Sequence, residues 1–308
     1  MNAAATRAQP HPEARRGFAF GVAAYSLWGV LPIYFKALTA VGAVDIVAHR
    51  IVWSLPFLAL LLFVSRGWSQ IRQAIRRRRT LLLLLSTATL IGINWLLYVY
   101  AVTSGHILAA SLGYYLNPLA NVLLGRFILK ERLSSLQWVA IAIAAAGILA
   151  LAVGALGQLW ISLTLCVSFA TYGLLRKIAL VDAVAGLGIE TALLFPLAIG
   201  WLAWRFAVGA PLLGSTTSDT TLLIAAGVVS TTPLLLFTAA ARRLPYSTLG
   251  MLQFLAPTLQ FLCAVWLYGE PFGRAHAIAF GAIWAALALY LVELIRAPRA
   301  SQAPQAPE

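Results

Sequence analysis

Residues 111–131 read SLGYYLNPLANVLLGRFILKE, and residues 248–270 read TLGMLQFLAPTLQFLCAVWLYGE. Tyr114, Pro118, Asn121 and Glu131 of the first stretch recur as Gln253, Pro257, Gln260 and Glu270 of the second, each 139 positions on. Upstream, Ser111-Leu112-Gly113 answers to Thr248-Leu249-Gly250 at a shift of 137. Outward from these stretches, Pro56 answers to Pro196 at 140, and two polar connections, 66–79 and 207–220, hold equivalent places at 141. The chain therefore reads as two related halves.

Each stretch belongs to an apolar run of the length needed to cross a bilayer, about 20 residues. Ten such windows are expected: 17–38, 43–65, 80–103, 106–129, 134–153, 159–178, 184–206, 221–241, 246–268 and 275–295. They are too long for strands and lack alternation, which predicts an all-α polytopic membrane protein rather than a barrel. Composition agrees: of 308 residues, 61% are hydrophobic and 10% charged, and mean hydropathy is +0.88. A soluble globule carries about 25% charge. Cys166 and Cys263, the two cysteines, sit in apolar runs and suggest neither a disulfide framework nor a metal site.

The formal charge of +13 suits nucleic acid or an anionic membrane surface. No nucleic-acid motif is present, and topology explains the charge better. With the N-terminus inside, eighteen of the 22 Lys and Arg fall on the inner side, and only Lys36, Arg50, Arg205 and Arg274 fall outside or in the outer half. By the positive-inside rule both termini are cytoplasmic. The Arg76–Arg79 run reads as a topogenic anchor. The first apolar run exceeds a signal-peptide core and lacks a small-residue cleavage site. The expected organisation is a disordered cytoplasmic tail 1–16, a five-helix unit 17–153, a second unit 159–295 and a disordered tail 296–308. Five crossings per unit is an odd number, so the second unit enters from the opposite side. Inverted repeats of this kind are characteristic of secondary transporters.

The strings HRIVWS (49–54), GINWLLYVYAV (92–102), ASLGYYLNPLANVLLGRFILKERL (110–133), YGLLRK (172–177), GIET (188–191), TPLLLFTAAARRLPYSTLG (232–250) and QFLAPTLQFLCAVWLYGE (253–270) resemble the RarD-type permeases of the EamA family, within the drug/metabolite transporter superfamily. The resemblance spans about residues 17–295. It implies a ten-helix bacterial inner-membrane carrier of two inverted five-helix repeats, in which helices one to four and six to nine surround the path. It also implies export of a small metabolite or drug.

Charge inside the membrane is the costliest feature and so the most informative. His49 and Arg50 lie within the second window and Glu190 within the seventh, Arg50 and Glu190 being repeat-equivalent at 140. Asp45 precedes His49 by one helical turn, which predicts a hydrogen bond between them. Helix rise sets Arg50 and Glu190 roughly 13 Å apart in depth, so two separate half-sites are expected. Glu190 is the candidate for proton coupling, since a carboxylate withdrawn from water is costly to keep charged. The alternative is a carboxylate tied up by Arg176, Lys177 or a hydroxyl.

Tyr114, Asn117 and Asn121, mirrored by Gln253 and Gln260, form polar stripes that must avoid lipid. They bind either substrate or neighbouring helices. Asn94, Trp95 and Tyr98 on the third window and Trp28 on the first complete the substrate-path candidates. Pro118, Pro233 and Pro257 are hinge candidates because each removes a backbone donor. Ser134 to Gln137 reads as a capping box, and Glu131 as an interfacial residue between Lys130 and Arg132. No HExxH, GxSxG, Walker A or CxxC string occurs, so no cofactor, metal or ATP hydrolysis is expected. The expected partners are a small-molecule substrate, membrane lipids and protons. A membrane-embedded enzyme acting on a lipid or small apolar substrate, or a sensor that transports nothing, remains the competing reading.

Overall fold

Apolar segments withdrawn from water must satisfy their own backbone donors and acceptors, and the helix does so locally. The computed structural model describes residues 12–38, 40–103, 107–152, 159–267 and 274–296. Its helices are α1 (Pro12–Lys36), α2 (Ala43–Val64), α3 (Trp68–Arg76), α4 (Arg78–Thr103), α5 (Ile107–Phe127), α6 (Ser135–Ala152), α7 (Leu159–Ile178), α8 (Ala183–Ala207), α9 (Thr217–Ala241), α10 (Tyr246–Gln253), α11 (Leu255–Leu262) and α12 (Arg274–Arg296). A π-helical turn, Cys263–Leu267, follows α11. There is no strand among the described residues. Six helices, α1, α2, α4, α7, α8 and α9, are long and apolar enough to cross a membrane by length and composition. Shorter apolar stretches, Ser135–Leu149 and Gly281–Tyr290, lie within α6 and α12.

Three boundaries differ from the sequence reading. Residues 12–16, expected in a tail, open α1, with Pro12 as its first helical residue and Glu13 in its first turn; residues 1–11 and 297–308 lie outside the described residues. The connection 66–79 is not a plain loop but holds α3, whose Ile71 and Ala74 pack with Leu62, Leu84, Val181 and Ala185. Apolar residues spaced three and four apart among arginines give that short helix one face to bury. The window 246–268 is divided at Phe254. Pro257 lacks an N–H and its ring crowds the carbonyl four residues back, that of Gln253. Phe254 N accordingly bonds the Met251 carbonyl in a tighter turn, at 3.3 Å. The expected capping box forms: Ser134 N donates to Gln137 Oε1 at 2.9 Å, and Gln137 N to Ser134 Oγ at 3.2 Å.

The helices associate in pairs that run across the sequence. α2 packs on α8 and α9, α1 on α9 and α11, α7 on α4 and α5, α10 on α5, and α12 on α6. One end of the bundle, here the basic end, carries Arg66, Arg78, Arg126, Lys177 and Arg242. At the other, Asp45 of α2 is held by Arg205 of α8, Nη2 to Oδ2 at 3.0 Å, and by Trp201 Nε1 at 2.8 Å. Tyr34 likewise donates to the Leu222 carbonyl, tying α1 to α9.

The α2–α9 seam is a backbone-to-backbone contact. A Cβ at Gly227 would fall onto the Trp53 carbonyl, and beside it Thr231 Oγ1 donates to Ser54 Oγ at 2.6 Å. Gly227→Ala gains helix propensity, about 1 kcal/mol, but the obstructing atoms are backbone and cannot swing away. Overpacking wins, and a net loss of about 1–2 kcal/mol is expected in thermal unfolding of the detergent-solubilised protein.

Candidate functional site

One face of α7 carries Ser168, Tyr172 and Arg176 at successive turns, all buried. Ser168 meets Asn94 while Tyr172 and Arg176 both meet Glu190, so the three rungs join two clusters.

The first cluster gathers five residues singled out in the sequence. Asn94 of α4 donates from Nδ2 to Ser168 Oγ at 2.9 Å and to the Leu165 carbonyl at 3.0 Å. Tyr114 of α5 donates its hydroxyl to Asn94 Oδ1 at 3.4 Å. The Tyr98 and Tyr114 rings meet edge-on with centroids 5.6 Å apart. Arg50 of α2 lays its guanidinium carbon 3.9 Å from the centre of the Trp95 ring, a cation–π contact. Arg50 forms no salt bridge among the described residues. It lies seven residues into α2, roughly 10 Å from that helix's first residue.

The second cluster surrounds Glu190 of α8, whose carboxylate is 1% exposed. Thr87 of α4 donates to Oε1 at 2.6 Å, and Tyr172 donates to Oε2 at 3.4 Å. Arg176, fully buried, places Nε 3.5 Å from Oε1 and points Nη2 at the Asp182 and Ala183 carbonyls, 3.4 Å away. Gly186 permits this, since a Cβ there would collide with the guanidinium. Thr87 and Asn94 are seven residues apart on α4, which separates the clusters by roughly 10 Å along the bundle.

The remaining candidates divide. Trp28 joins an aromatic core instead, 5.8 Å from Phe169 and 5.7 Å from Phe237, ring centre to ring centre. Asn121 donates to Gln253 Oε1 at 2.8 Å where α5 crosses α10, so these two serve a helix contact. Asn117 is buried with neither amide atom partnered. The Gln260 side chain lies outside the described residues. The expected Asp45–His49 hydrogen bond is absent: Arg205 and Trp201 occupy the Asp45 carboxylate, and His49 Nδ1 is buried without a partner. Another helix of the bundle, α8, reaches Asp45 more fully than a residue one turn away on α2. α5 and α9 run through Pro118 and Pro233; of the three proline sites only Pro257 accompanies a break.

Two elements escaped the sequence reading. The three-rung face of α7 was visible as polar residues every fourth position in an apolar helix. Glu131 is more than interfacial. It accepts from Tyr246 N and, at 2.9 and 2.7 Å, from Ser247 N and Oγ, capping α10 from 115 residues away. Nothing local in the sequence signals that reach.

At the basic end a cavity of about 540 Å³ opens between α1, α2, α3, α8 and α9, lined in part by Glu13, Gln70, Asp182 and Arg242. Burial pushes the Asp182 carboxyl up, but the hydrogen bonds from Arg242 and Gln70 outweigh it and hold the group below its ordinary value. No set of three His, Cys, Asp or Glu among the described residues is placed to hold a metal.

Apolar spanning helices with polar clusters turned inward define an integral membrane protein. The chain belongs to the EamA-like transporter family, whose pattern matches residues 15–153. Within it the chain is a RarD-type permease. It is 47% identical over 291 residues to an uncharacterised transporter of Pseudomonas aeruginosa, covering 92% of this chain and 96% of that one. It is 42% identical to protein RarD of Escherichia coli, covering 93% and 97%. Identity to the chloramphenicol-sensitive protein RarD of Pseudomonas aeruginosa is 34%, covering 89% and 93%. A solved crystal structure, 21% identical, superposes with a TM-score of 0.72 over 92% of this chain and 100% of that one, which shows the fold.

Proposed function

We propose that this membrane transporter exports a small organic solute across the bacterial inner membrane by alternating access, without chemical conversion. The observation that carries the reading is the α7 face, which joins two polar clusters in the interior of an apolar bundle. Packing alone has no use for so many desolvated polar groups, whereas a solute path does.

The proposed frame is ten crossings in two oppositely oriented units, 17–153 and 159–295, with both termini cytoplasmic. The packing supports it: exchanging the units carries the α1–α9 contact into α7–α4, and α5–α7 into α1 with α10 and α11. The contacts α2–α8, α5–α10 and α6–α12 map onto themselves. The basic end then faces the cytoplasm, by the positive-inside rule, and the break at Phe254 serves as the hinge.

In this reading Glu190 couples transport to protons by losing the Thr87 donor and gaining a proton as the units rock. Thr87 belongs to the first unit and Arg176 and Glu190 to the second, so rocking disturbs the cluster. Purified protein in proteoliposomes is expected to exchange a solute from a metabolite and drug panel in counterflow. Recovery of a chemically altered solute, or no exchange of any, overturns transport. Glu190→Gln is expected to abolish the dependence of uptake on a pH gradient while counterflow persists. Arg176→Met/Glu190→Gln, which leaves no buried charge unpaired, controls for folding. Gradient dependence that survives in both variants removes Glu190 from coupling.

A further inference from the structure

We propose that Arg50, Trp95, Tyr98 and Tyr114 form a subsite for an organic anion, a small carboxylate with a planar apolar body, and that the subsite rejects zwitterions. This rests on the transport reading above and adds the charge of the cargo.

The argument is one of unbalanced charge. A cation held among transmembrane helices is costly without a counter-charge. Among the described residues the two carboxylates deep enough to serve are engaged elsewhere: Asp45 by Arg205 and Trp201, Glu190 by Arg176, Thr87 and Tyr172. Arg50 has the Trp95 face against its guanidinium, which compensates only part of a desolvated charge. A guanidinium whose carbon lies over a ring still presents the planar fork of donors that receives a carboxylate in two parallel hydrogen bonds. The Tyr98 and Tyr114 rings stand edge-to-face, with Tyr98 three residues from Trp95 on α4, and offer flat apolar area to the body of the solute.

The same inventory disfavours an α-amino acid. Its ammonium group would need a free carboxylate near Arg50, none is present among the described residues, and the guanidinium itself repels a second cation a few ångströms away. A neutral solute leaves Arg50 as unbalanced as before.

Three probes of one shape separate these cases: 3-phenylpropionate, 3-phenylpropionamide and phenylalanine, measured for binding to the full chain in nanodiscs. The carboxylate is expected to bind at least about tenfold more tightly than either of the others. Arg50→Gln is expected to erase that preference, and Arg50→Lys, which keeps the charge but loses the fork, to retain part of it. Equal affinities, a tighter amide or amino acid, a preference intact in Arg50→Gln, or no carboxylate binding at tens of millimolar each overturn the anion subsite. If Arg50→Gln does not fold, the comparison of the three probes on the unmodified chain decides alone. Counterflow of the same probes separates the two readings. Carboxylate-selective binding without exchange of any solute of the panel keeps the subsite and removes transport. Equal exchange of all three keeps transport and removes the subsite.

Discussion

Replacing Arg176 with Met is expected to destabilise the protein by about 3–5 kcal/mol, because it leaves the Glu190 carboxylate buried without its counter-charge. Both groups are essentially inaccessible, at 0% and 1% exposure, so water cannot take over the role of the lost partner. Thr87 and Tyr172 still donate to the carboxylate, which sets the loss toward the lower part of that range. Replacing both partners, Arg176→Met with Glu190→Gln, is expected to recover most of the stability, since a neutral pair pays no ionic desolvation. Thermal unfolding of the four proteins in one detergent gives the coupling energy directly. Additive losses would mean that the two side chains do not interact in the folded protein.

The second large effect belongs to Glu131. Helix α10 begins after Pro245 with no side-chain cap of its own, and its first N–H groups would be orphaned. Glu131 takes two of them and the Ser247 hydroxyl. These are charge-assisted bonds at the positive end of a helix dipole. Glu131→Ala is expected to cost about 2–3 kcal/mol, and Glu131→Gln about half as much, because an amide oxygen still accepts. A loss under about 0.5 kcal/mol in Glu131→Ala, read by thermal unfolding, would mean that water caps α10 equally well.

What the sequence made legible follows from what it encodes locally. Apolar length and the capping box at Ser134 depend on neighbours in the chain, and both were readable. So was the expectation that Arg50 and Glu190 occupy separate places, because helix rise alone sets their depths. Asp45 shows the limit. One turn from His49, it looks like a local partner, yet Arg205, 160 residues away, supplies two bonds from a charged fork, and a charged bidentate donor outcompetes a neutral ring. The amphipathic α3 was hidden behind its arginines, whose number made the segment look like a loop although the spacing of Ile71 and Ala74 gives it a buried edge. Glu131 was legible as a residue but not as a cap, since the helix it serves lies in the other half of the sequence.

The rungs on α7 have a mechanical consequence. Ser168, Tyr172 and Arg176 lie on one rigid helix within an arc of about 80°, so turning α7 by one residue, about 100°, would withdraw all three from their partners. Any such turn would disturb both clusters, so α7 ties the surroundings of Asn94 to those of Glu190.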